Sequence, residues 1–240
     1  MDAVRLTGVV KRFNRRYGAP TAQEHHSRGR QSAVDTALDG VDLVVEAGEA
    51  VGLLGPRRAG RTTLLSVING VYEPDEGTAQ VRGRVGGLVS MGAGFSPSSS
   101  VRSNIVLHGL LQGLTRDQVD ERLENLLEDS GVPANLLPFP LRDVPAPRRQ
   151  RLAYLLAMRC DPDVFLADKT VVTGDADFRE RGLQAIEAHR DAGRAVVLGT
   201  NDGRILRRIC TRGVVLREGN IVFDGRIRRA LQVHRGAPPE

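Results

Sequence analysis

The run Ala50-Val51-Gly52-Leu53-Leu54 is apolar from end to end and stops at Gly55. A strand with one wet face alternates apolar and polar residues; a short continuous apolar run suits a strand buried on both faces of a parallel sheet. Two further short runs, Val164-Phe165-Leu166-Ala167-Asp168 and Ala195-Val196-Val197-Leu198-Gly199, also read as strands. Helical patterns lie around them, at about 61–69, 148–160 and 178–192. Strands that alternate with helices argue a parallel α/β core.

Other segments hang on this frame. Val4 to Val10 alternates as a strand, and Val41 to Glu46 is a second strand closed by a turn at Ala47-Gly48-Glu49. Between them, from Asn14 to Asp35, clustered Arg, Gly, Ser and His predict an exposed loop or polar insert. Glu73 to Gly77 reads as a turn into a strand near Ala79–Arg82. Val101 to Gly131 is helical in pattern, with leucines at 107, 110, 111 and 114 and a fresh helix start at Thr115-Arg116-Asp117-Gln118. Five prolines between Pro133 and Pro147 then interrupt the chain. Gly213–Leu216 and Ile221–Phe223, around Glu218-Gly219, predict a hairpin followed by a short helix.

Composition removes several classes. No stretch approaches the roughly 18–20 apolar residues of a membrane-spanning helix, and the charged N-terminal residues Asp2, Arg5, Lys11 and Arg12 do not form a signal peptide. Cys160 and Cys210 have neither metal-ligand spacing nor a disulfide framework, which fits a reduced cytosolic setting. Of the 34 basic residues only Lys11 and Lys169 are lysines, and the net charge is +5. No recognition motif accompanies that charge, so no nucleic-acid partner is expected.

Strand Ala50–Leu54 runs into Gly55-Pro56-Arg57-Arg58-Ala59-Gly60-Arg61-Thr62-Thr63 and then a helix. This is the place and spacing of a phosphate-binding P-loop, G-x-x-x-x-G-K-[ST]. In such a loop, backbone N–H groups and the helix N-terminus surround phosphate oxygens, a lysine reaches the terminal phosphates, and the hydroxyl holds Mg²⁺. Here both glycines and Thr62 are present, and Arg61 stands at the lysine position. The competing reading is an ordinary strand-to-helix turn.

Further motifs follow in order: Met91-Gly92-Ala93-Gly94-Phe95-x-Pro97, Arg102-x-Asn104-Ile105, Asp161 to Asp168, Val172-Thr173-Gly174-Asp175-Ala176-x-Phe178, and Thr211-Arg212-Gly213 to Asp224-Gly225. Together they resemble the ATP-binding subunit of an ABC transporter over nearly the whole chain, and within it the exporters of O-antigen, other polysaccharides and teichoic acids. The resemblance implies a P-loop NTPase (RecA-like) core of ABC ATPase type, with an antiparallel β part and a helical subdomain insertion. It divides a single domain into a core at about 1–92 and 151–225 and a helical subdomain at about 93–150. It implies ATP and Mg²⁺ as cofactors, a transmembrane permease as partner, and a homodimer or a heterodimer with another such subunit. It also implies a cytoplasmic location, peripheral on the inner membrane face.

The implied site residues are Gly55, Arg58, Ala59, Gly60, Arg61, Thr62 and Thr63 for phosphate, Thr62 and Asp168 for Mg²⁺, and Phe13 (or Tyr17) for stacking on adenine. Several depart from the family's pattern. Arg58 replaces a glycine, and Arg61 replaces the lysine. Ser90 stands at the glutamine-loop position and Asn201 at the switch histidine. Lys169 follows Asp168 where the family has its catalytic glutamate, and a protonated lysine cannot accept a proton from water. The signature slot reads Val144-Pro145-Ala146-Pro147-Arg148, with no serine and two residues lacking backbone donors. These losses predict a subunit with little or no hydrolysis; the alternative is a regulatory or scaffolding protein that keeps the fold. His25-His26 reads as solvated, and Arg142, Arg148, Arg149 and Arg151 as a basic surface patch.

Overall fold

The computed structural model describes residues 1–14, 34–88, 95–111, 114–159, 161–168 and 176–239. The alternating N-terminal pattern builds a three-stranded antiparallel sheet. Strand β1 (Asp2–Asn14) lies between β2 (Val34–Glu46) and β4 (Glu76–Val81). Leu6 pairs with Leu43 on one side and Ala79 on the other. The pairing continues to Asn14↔Val34 and Phe13↔Asp35, so both edges of the expected polar insert are strand. Main-chain hydrogen bonds extend this ladder where side chains are polar, because one face of an antiparallel sheet can remain wet. The rest of that insert lies outside the described residues.

The second sheet has the order β5-β6-β7-β3-β8-β9. Its members are β3 (Ala50–Leu54), β5 (Val85–Leu88), β6 (Val164–Asp168), β7 (Ala195–Gly199), β8 (Arg212–Arg217) and β9 (Asn220–Arg226). β5 through β8 run parallel, and β9 closes one edge as an antiparallel hairpin with β8. Successive residues of a strand face opposite sides. Phe165, Ala167, Val196, Leu198 and Leu54 therefore enter one core, while Val164, Leu166, Val197, Val51 and Leu53 enter the other. The first core lies against α5 (Ala176–Asp191), α6 (Gly203–Ile209) and α7 (Ile227–His234); the second takes in α1 (Arg61–Ile68) and the antiparallel sheet. Strand β5 and helix α6 were not expected from the sequence.

A third core joins α2 (Val101–Leu111), α3 (Arg116–Ser130) and α4 (Ala146–Arg159) through Ile105, Val119, Leu126, Leu152 and Leu156. Asn104, 1% exposed, pins the start of α2: its side chain accepts from Ser96 N–H at 2.7 Å and donates to the carbonyls of Ser96, Ser99 and Ser100. At α3, Thr115 Oγ1 accepts from Gln118 N–H and Gln118 Oε1 accepts from Thr115 N–H, at 3.3 and 2.9 Å. This reciprocal cap satisfies two amides that the first turn leaves open. Thr115→Ala is expected to cost about 1 kcal/mol in urea unfolding with an unchanged slope. A midpoint equal to that of the wild type would show that the cap contributes nothing. No helix of the described residues is long and apolar enough to cross a membrane.

Candidate nucleotide site

The loop after β3 is shaped by two close approaches. At Gly55 (φ 152°) a Cβ would lie 2.5 Å from the Leu216 carbonyl oxygen, and at Gly60 (φ 101°) it would lie 2.5 Å from that of Ala37. Both positions require glycine, for space and for backbone geometry. The β8–β9 turn backs the loop from behind. Gly219 N–H donates to the Ala59 carbonyl at 3.2 Å, and Asp39 N–H donates to the Gly219 carbonyl at 3.0 Å. Helix α1 then starts from Gly60 with no side-chain cap. Its first N–H groups have no intrahelical acceptor, and the helix dipole places partial positive charge there.

A cavity of about 310 Å³ opens over this loop. Phe13, Asp35, Thr36, Ala37 and the residues from Pro56 to Thr63 line it, so β1, β2 and α1 each contribute a wall. Phe13 is held by the edge of Tyr72, with centroids 5.2 Å apart, and the Lys11 ammonium lies 5.8 Å from its ring centre. Lys11 is itself fixed by the Glu73 carbonyl and the Asp75 carboxylate, each at 2.9 Å. The sequence singled out neither Tyr72 nor Lys11 for this role, and neither carries a motif that would have done so.

On the inner side, Thr62 Oγ1 donates to Asp168 Oδ2 at 2.5 Å. This joins the start of α1 to the end of β6 and brings together a hydroxyl and a carboxylate, oxygen donors of the kind Mg²⁺ takes. Arg61 is only 6% exposed. Its Nη1 donates to Asn201 Oδ1 at 2.8 Å; the same oxygen accepts from Gly55 N–H at 3.4 Å, and Asn201 Nδ2 donates to the Gly55 carbonyl at 3.1 Å. Burial pulls the Arg61 guanidinium below its ordinary pKa, and the Asp168 carboxylate opposes that shift. The His234 imidazole is held low by burial and then by the charges of Arg61, Arg217 and Arg235, which brings the end of α7 into the electrostatic reach of the loop.

Arg58 stands in the left-handed region at φ 66°. Ser90, Lys169 and Tyr17 lie outside the described residues, as does the His25-His26 pair. In the slot at 144–148, Val144 and Pro145 precede α4 and Ala146 to Arg148 open it, and none of the five lines the cavity. Three members of the expected basic patch have neighbours in the fold: Arg142 pairs with Asp143 at 3.9 Å, Arg149 donates to the carbonyls of Arg142 and Val144, and Arg151 stacks 5.0 Å from the Phe178 ring centre.

Comparison with known proteins fits this geometry. The family model described as ABC transporter matches residues 38–172, from within β2 to past Asp168. The chain belongs to the ABC transporter family. This ABC chain is 33% identical over 220 residues to the O-antigen export system ATP-binding protein RfbB of Myxococcus xanthus, covering 88% of this chain and 50% of that protein. It is 30% identical to the ABC transporter protein AbcA of Aeromonas salmonicida, covering 92% and 71% respectively. Its length thus spans half of the Myxococcus relative. The fold matches the dimeric structure of the ATP-binding cassette MJ0796 bound to ADP and Pi, with a TM-score of 0.73 and 20% identity over 94% of this chain and 99% of that one. Membership in the ABC family implies nucleotide binding, typically with Mg²⁺. The glycine-shaped loop and the Thr62–Asp168 pair fit such a ligand.

Proposed function

We propose that this chain is the nucleotide-binding subunit of an ABC exporter of the O-antigen and polysaccharide type, binding ATP with turnover near background. It docks on a transmembrane permease at the inner face of the membrane and pairs with a second cassette subunit. The export role rests on the relatives, which include O-antigen and teichoic acid export proteins. Near-background turnover is carried by one observation, the double engagement of Asn201 with Gly55 and Arg61.

Bound Mg²⁺ would neutralise phosphate charge between Thr62 and Asp168, and the loop amides would hold the phosphate oxygens. Phe13 offers a ring for the base. Hydrolysis also needs a group that orients water and accepts its proton. Asn201 is a neutral amide already used on both of its polar atoms, and an amide is no base. The residue after Asp168 is Lys169, whose ammonium only donates. Arg61 keeps its charge but spends it on Asn201.

The test is nucleotide binding and phosphate release measured together, with and without the permease. Saturable ATP binding with turnover far below about 1 s⁻¹, an ordinary enzyme rate, is the expected result. Turnover at or above that rate, abolished in Asp168→Ala, would overturn it. Failure to co-purify with any permease would instead favour the scaffolding alternative.

A further inference from the structure

Three arginines line the nucleotide cavity, and they differ in what occupies them. Arg61 is buried and hydrogen-bonded to Asn201, with Asp168 as its nearby countercharge. Its position is that of the P-loop lysine, yet its fork is turned into the protein by a contact that also fixes the Gly55 turn. Arg57 and Arg58 are exposed, and among the described residues neither makes a hydrogen bond or an ion pair. Arg58 is further distinguished by its backbone. A non-glycine residue at φ 66° is uncommon and is kept only where the surroundings fix it. Glycine would fill that position without strain, so the loop's shape does not call for arginine there.

We infer that Arg58, rather than Arg61, is the cation that receives the phosphate chain in this site. A guanidinium presents two parallel N–H donors, a geometry that fits two oxygens of one phosphate, whereas an ammonium acts as a point charge. Carried on the rim, it meets a polyphosphate from the solvent side of the loop. The amides at the start of α1 approach from the other side. The ligand class is a nucleoside di- or triphosphate, gripped chiefly by its phosphates. Arg61 then serves as a positioning residue: it braces Asn201 against Gly55 and keeps the loop open. This inference rests on the nucleotide reading above and names the residue that makes it work despite the missing lysine.

The exposure of Arg58 gives a readout that a buried cation would not. Binding through a solvent-exposed charge weakens with ionic strength, because salt screens it over about 10 Å at 0.1 M. The test uses the purified full chain, a fluorescent ATP analogue, and inorganic tripolyphosphate as competitor, at low and high salt. Arg58→Gly is expected to weaken both ligands by about tenfold to a hundredfold, the worth of a hydrogen bond to a charged group. It should also flatten the salt dependence, while its thermal midpoint does not fall, since glycine suits the left-handed backbone. Arg57→Ala and Arg61→Met should each lose less than Arg58→Gly.

Wild-type binding that Arg58→Gly leaves intact would overturn the inference while the nucleotide site stands. An equal loss in Arg57→Ala would overturn it too, by showing a general charge effect. If Arg61→Met folds and loses the most, Arg61 is the phosphate cation after all. No saturable binding by the wild type at either salt would remove the nucleotide reading itself.

Discussion

Phe165→Ala is expected to lower stability by about 3–5 kcal/mol, the cost of emptying the space of a large buried ring. Phe165 is fully buried in β6, between Gly86 of β5 and Val196 of β7. Its ring packs within the core that faces α5, α6 and α7, edge-on to the buried His189 ring at 6.0 Å. Parallel strands hydrogen-bonded on both sides have little freedom to collapse into a void, so the upper part of the range applies. For a chain of this size each kcal/mol is worth about 2–4 °C in melting temperature, which calorimetry resolves easily. A loss below about 1 kcal/mol would mean that the ring is not packed as described. The effect should reach the nucleotide site as well, because β6 ends on Asp168, the acceptor for Thr62.

Gly60→Ala comes next. A methyl there would lie 2.5 Å from the Ala37 carbonyl oxygen and 3.0 Å from Leu38 Cδ2, at a backbone φ of 101°. The left-handed backbone costs an ordinary residue about 1–2 kcal/mol, and forced overpacking adds about 1–3 kcal/mol. A total near 3 kcal/mol is expected. Binding should suffer beyond the loss of stability, because relief requires the loop to move away from β2, and that motion displaces Arg58 and Thr62 together. Gly70→Ala is the control, with φ 70° and nothing within 4 Å of the added methyl. If both variants melt at the same temperature, the contact with Ala37 is not a constraint, and the cavity wall is softer than the geometry implies.

The strands that carry the site were legible because burial on both faces leaves a simple mark. Ala50–Leu54, Val164–Asp168 and Ala195–Gly199 are strands over the spans their composition suggests. Strand Val85–Leu88 left no such mark, since Gly86 and Gly87 are poor strand formers and only pairing with β6 makes it a strand. Helix Gly203–Ile209 is short and rich in arginine, so its apolar face of Ile205, Leu206 and Ile209 was too brief to read. Its Asp202 cap, which accepts from the amides of Arg204 and Ile205, was the available signal. The resemblance to the family pattern was what marked positions 58, 61 and 201 as departures. That Arg61 and Asn201 bind each other could not be read from the sequence, because they come from opposite ends of two neighbouring strand-to-helix turns and meet only in the fold.

The support behind the loop carries a consequence for the order in which the chain is made. The carbonyls of Ala37 and Leu216 and the main chain of Gly219 bound a turn that begins at Gly55. A ribosome delivers Gly55–Thr63 well before it delivers the β8–β9 hairpin. Until that hairpin closes on β3, the P-loop residues exist without the surface that sets their curvature. The nucleotide cavity thus matures only after that hairpin has emerged, and a growing chain has no finished phosphate seat to offer before then.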